Sequence, residues 1–95
     1  MDDVVEVVDT LKILSDPTRL RLIRLLGQNE GSLCVNALAD RLGVTQSAVS
    51  QHLRVLRAAG LVQGVREGYR VHYSLNEGRV AKVKEILSRA LGEGL

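Results

Sequence analysis

Ninety-five residues with 45% apolar but only 2% aromatic side chains leave room for one small core of Leu, Val, Ile and Ala, and exclude a second domain or an aromatic-walled cofactor pocket. A net charge of +2 says little as a total, but residues 1–15 hold four acids against Lys12, a net of −3, whereas residues 40–72 hold five Arg against two acids, a net of +3. Apolar runs far short of the roughly 18–20 residues of a membrane span exclude a transmembrane segment, and the single cysteine, Cys34, excludes an intrachain disulfide framework.

The N-terminus carries Asp2, Asp3 and Glu6 where a signal peptide carries positive charge, so a cytoplasmic location is expected. Val4, Val8, Leu11 and Ser15, widened by Val7 and Leu14, predict a first helix over about 3–14. Asp16-Pro17 is a start signal, because a short acid accepts from free N–H groups and proline is preset for the first helical position. A second helix is expected from Pro17 to Leu26, stopping at Gly27.

Gln28 to Ser32 reads as a loop. Val35, Leu38, Ala39 and Leu42 space a third helix ending at Gly43. A fourth, capped by Thr45, keeps Val49, Leu53 and Leu56 inward until Gly60. From Leu61 the period becomes two: Val71, Tyr73 and Leu75 alternate with Arg70, His72 and Ser74, and Val62 to Arg66 should pair with them across a turn at Glu67-Gly68. Asn76 caps a fifth helix over about 77–92, with Val80, Val83, Leu87, Ala90 and Leu91 on one face, fraying into Gly92 and Gly94.

The expected architecture is α+β and mostly helical, a single winged helix-turn-helix domain over 1–95 with a two-stranded hairpin as its wing. With Val49, Leu53 and Leu56 in the core, the fourth helix exposes Gln46, Ser47, Ser50, Gln51 and Arg54. In a helix-turn-helix such a helix enters the major groove, where Gln suits adenine, Arg suits guanine and Ser reaches base edges or phosphates. Thr45 stands at its start, and His52 is read as a local hydrogen-bonding or phosphate-contacting residue. A solvated helical hairpin explains the polar face equally well; Arg66 and Arg70, flanking the wing turn, tip the balance toward double-stranded DNA.

Leu14-Ser-Asp-Pro-Thr-Arg-Leu-Arg21, Leu33-Cys-Val-Asn-Ala-Leu-Ala39, Thr45-Gln-Ser-Ala-Val-Ser-Gln-His-Leu53, Ala59-Gly-Leu-Val62 and Arg66-Glu-Gly-Tyr-Arg70 together resemble the ArsR/SmtB family of repressors, over nearly the whole chain. The resemblance implies a homodimer built from the terminal helices, binding an inverted-repeat operator and released by an inducer. The residues agree with the dimer, since Val4, Val8 and Leu11 and Val80, Val83 and Leu87 form stripes that one small core cannot cover. The inducer itself is not named by the sequence.

Two departures bear on sensing. Family members often bind metal through Cys-Val-Cys at the start of the third helix, where this chain has Cys34-Val35-Asn36. A second family site uses an acid and a His two apart, then a His followed three later by His or Glu; the matching positions here are Glu77 with Arg79 and Ala90 with Glu93. Neither set supplies the roughly four donors of a zinc site, so no metal and no cofactor are expected. Redox control through Cys34 is one alternative, and a winged module that binds protein or RNA is another. An enzyme is excluded: Ser50 and His52, two apart on a helix, point away from each other.

Overall fold

The computed structural model describes residues 2–29 and 31–92; Glu93 and Gly94 lie outside them. Among the described residues, five helices and three strands follow in the order α1 (Asp3–Leu14), α2 (Pro17–Gln28), β1 (Leu33–Cys34), α3 (Val35–Leu42), α4 (Gln46–Ala58), β2 (Val62–Glu67), β3 (Arg70–Leu75) and α5 (Glu77–Leu91). Four of these five helices start on a side-chain cap. Asp2 accepts from the Val4 N–H, Asp16 from Arg19, Thr45 from Ala48 and Asn76 from Arg79.

Three local expectations are corrected. The second helix does not stop at Gly27 but runs to Gln28 and ends where Asn29 turns extended (φ −95°, ψ 131°); a glycine lowers helix stability without breaking the hydrogen-bond ladder. The wing turn is Gly68-Tyr69, not Glu67-Gly68, because Glu67 pairs with Arg70 in the ladder. Gly68 takes the positive φ (+64°) that the first residue of a two-residue hairpin loop requires. The sheet also has three strands, in the order β1-β3-β2, with Leu33 opposite Tyr73 and Cys34 opposite His72. Two residues are too few to show a period in sequence.

The core gathers Leu22 and Leu26 of α2, Leu33, Leu38 and Ala39, Val49, Leu53 and Leu56 of α4, then Leu61 and Val62. The inward line of α4 is therefore the expected one, each of its three residues at most 1% exposed. α1 differs. Its buried residues are Val7 and Thr10, while Val4 and Val8 stand 48% and 43% exposed. The stripe of Val4, Val8 and Leu11 thus lies away from the core of its own chain. Val80 goes the other way and packs against that core with Leu75 and Tyr73.

Candidate nucleic-acid interface

Gly43, at φ +66°, reverses the chain between α3 and α4, and its N–H closes on Ala39 and Asp40 carbonyls. The turn is tight because a residue with a side chain rarely adopts that backbone. α4 then presents Gln46, Ser47, Ser50, Gln51 and Arg54, all exposed. None of the five takes part in a side-chain hydrogen bond or ion pair among the described residues, so their polar groups are available to a ligand. Thr45 is exposed as well, with its hydroxyl already accepting from Ala48 at 3.1 Å.

The wing stands beside this helix. A recess of about 330 Å³ is lined by Ser50 of α4, Cys34 and Asn36 at the start of α3, and Tyr69, Arg70 and Tyr73 of the hairpin. Arg66 lies opposite Val71 and Arg70 opposite Glu67. Directly opposed residues share a face and successive ones alternate, so the two arginines leave the hairpin on opposite faces. Both are exposed and neither has an ion pair among the described residues. Tyr69, at 105% exposure, is a wing-tip residue that the charge pattern of the sequence did not single out.

Two further expected site residues are half-buried. His52 is half-buried on the flank of α4, where its Nδ1 accepts from Nε–H of Arg19 at 3.2 Å. Cys34 is half-buried at the N-terminus of α3; the Ala37 N–H lowers its thiol pKa first, burial opposes, and the Arg70 charge and Asn36 N–H add to the lowering. No full hydrogen bond caps the helix from its sulfur. His72, across the ladder from Cys34, has a buried Nδ1 at 3.3 Å from a Glu67 carboxylate oxygen, within ion-pair distance but outside hydrogen-bond geometry.

Of the positions matching the family's second metal site, Glu77, Arg79 and Ala90 are described and Glu93 is not. Arg79 reaches Glu6 of α1 at 3.7 Å and donates to the Ala59 carbonyl at 3.4 Å. Among the described residues no group of three or more His, Cys, Asp or Glu is placed to hold a metal ion. No described helix is long and apolar enough to cross a membrane.

A polar recognition helix after a tight turn, with a cationic hairpin beside it, defines a winged helix-turn-helix protein. Residues 16–63 match the model of the bacterial regulatory proteins of the arsR family. The chain is 33% identical over 87 residues to an HTH-type transcriptional regulator of Methanocaldococcus jannaschii, covering 92% of this chain and 97% of that protein. It is 45% identical over 78 residues to the HTH-type transcriptional regulator NmtR of Mycobacterium tuberculosis, covering 82% of this chain but 63% of that protein's length. Among solved structures, an ArsR-like transcriptional regulator from Rhodococcus sp. RHA1 superposes with a TM-score of 0.78 at 30% identity, over 93% of this chain and 81% of the other. This chain belongs to the arsR family of bacterial regulatory proteins: it is a DNA-binding transcriptional regulator, not an enzyme.

Proposed function

We propose that the protein is a cytoplasmic homodimeric repressor. It lays α4 of each protomer in successive major grooves of an inverted-repeat operator and rests each wing on the adjoining backbone or minor groove. The observation that carries this reading is the unpaired polar face of α4, Gln46, Ser47, Ser50, Gln51 and Arg54, next to a wing whose Arg66 and Arg70 are also unpaired among the described residues. Gln46 and Arg54 suit base edges, Ser47, Ser50 and Gln51 suit bases or phosphates, and the wing cations suit phosphate. The hydroxyl of Thr45 caps α4 and so holds the N-terminal turn in shape for entry.

On this reading residues 1–95 are one DNA-binding domain whose terminal helices, about 3–14 and 77–92, pair with a second copy. An apolar groove of about 470 Å³ runs between α1, α2 and α5, lined by Leu11, Leu14, Leu20, Ile23, Val83 and Leu87. Leu20 is 53% exposed and joins Val4, Val8 and Leu11 as apolar surface that one chain leaves wet. Selection of bound duplexes from a random pool tests the proposal. Recovery of an inverted repeat with half-sites about one helical turn apart supports it, and recovery of a single unpaired half-site contradicts it.

A further inference from the structure

Among the described residues Arg19, near the start of α2, is the one side chain whose hydrogen bonds join the terminal helix α1 to the recognition helix. Its Nη1 donates to the Ile13 carbonyl in the last turn of α1 at 3.1 Å, and its Nε donates to His52 Nδ1 on α4 at 3.2 Å. Its backbone N–H donates at 3.1 Å to the Asp16 carboxylate, which holds that group below the ordinary aspartate range, with a smaller contribution from His52. A guanidinium has donors only, so the bond to Nδ1 requires an imidazole with a lone pair there and its proton on Nε2. The link exists only with neutral His52.

We propose that Arg19 is a positioning residue for DNA recognition, fixing the roll of α4 through neutral His52. The inference rests on the DNA-binding reading above. Val49, Leu53 and Leu56 hold α4 along a single line, and a helix held along one line can still roll about it. His52 projects to one side of that line, on the same flank as Val55 and Ala59, and a bond there resists the roll that would misplace Gln46, Ser50 and Arg54. Protonation of His52 removes the acceptor and sets two cations side by side. The charged groups around that flank are Glu6, Asp9 and Lys12 from α1, Asp16 and Arg19 from α2, and Arg79 from α5. Loss of the Nδ1 acceptor opens the bond from Arg19 to α4, while the Ile13 carbonyl still accepts from Arg19.

The test uses a His72→Gln background, which leaves His52 as the sole histidine. Affinity for a duplex recovered by selection is measured from about pH 8 to about pH 5.5. The background protein is expected to lose roughly three- to tenfold over this range, the scale of one ordinary hydrogen bond. His52→Asn places an amide oxygen near the former Nδ1 and does not titrate, so its profile is expected to be flat. Arg19→Lys is expected to be flat and weak throughout.

A slope retained in His52→Asn overturns the proposal. Tightening of the background protein on acidification also overturns it and makes His52 a phosphate donor instead. Imidazole 15N spectra of the free protein provide an arm that needs no DNA: Nδ1 should be an unprotonated acceptor near pH 8, and Arg19→Lys should abolish that fixed tautomer. An unchanged tautomer in Arg19→Lys defeats the proposal even if the protein binds DNA. Absence of any salt-dependent duplex binding defeats the DNA reading, and positioning with it, while the spectra still decide the Arg19–His52 bond.

Discussion

Single residues decide what this chain can sense. At the start of α3, Asn36 stands where a second thiolate would make a soft-metal site with Cys34, and one thiolate beside an amide is a poor match for a metal that favours several sulfur ligands. At the start of α5, Arg79 brings a fixed cation and directs it to Glu6 and the Ala59 carbonyl. DNA affinity of the reduced protein is therefore expected to stay within about twofold on addition of zinc, cadmium or a chelator. Stoichiometric Zn2+ uptake coupled to DNA release, followed by titration against operator binding, would contradict this. Cys34 keeps a narrower role open, because its thiol is acidified at the mouth of the recess shared by Ser50 and Arg70. If mild oxidants release DNA from the parent and not from Cys34→Ser, control passes to that thiol.

On the proposed reading the elements divide the DNA surface between them. The wing offers charge, so Arg66→Ala or Arg70→Ala should weaken binding to all duplexes about equally and lower the salt slope by roughly one for each phosphate no longer neutralised. The recognition helix offers hydrogen-bond pattern, so Gln46→Ala should cost about 1–3 kcal/mol on the selected site and little on random duplex. Equal losses on both would assign Gln46 to the backbone. These elements were legible in the sequence because their signals are long or strong: three core residues at helical spacing in α4, caps at Asp16, Thr45 and Asn76, and alternation along β3. What escaped is physically short or non-local. β1 exists only through its pairing with β3, the hairpin turn slipped by one because Gly68 serves as its first and not its second residue, and the Arg19–His52 bond spans 33 positions.

At the scale of the molecule, the single chain is less compact than its length requires. Its radius of gyration is 13.9 Å, against about 12.4 Å for an average globular chain of this size. The surplus surface includes the apolar faces of α1 and α2, which a second copy would cover. Sedimentation is expected to find a dimer at micromolar concentration, and Val8→Asp to shift it toward monomer. A compact monomer with the α1 stripe withdrawn from solvent would contradict the assembly. The proposed binding by two wings and two recognition helices has a steeper consequence, and it tests the central claim most directly. Affinity for a duplex carrying the selected inverted repeat should fall linearly in log–log form with salt, with a slope showing several phosphates neutralised, and should exceed affinity for random duplex by about a thousandfold or more at physiological salt. A shallow slope with equal affinity for both duplexes would contradict the account.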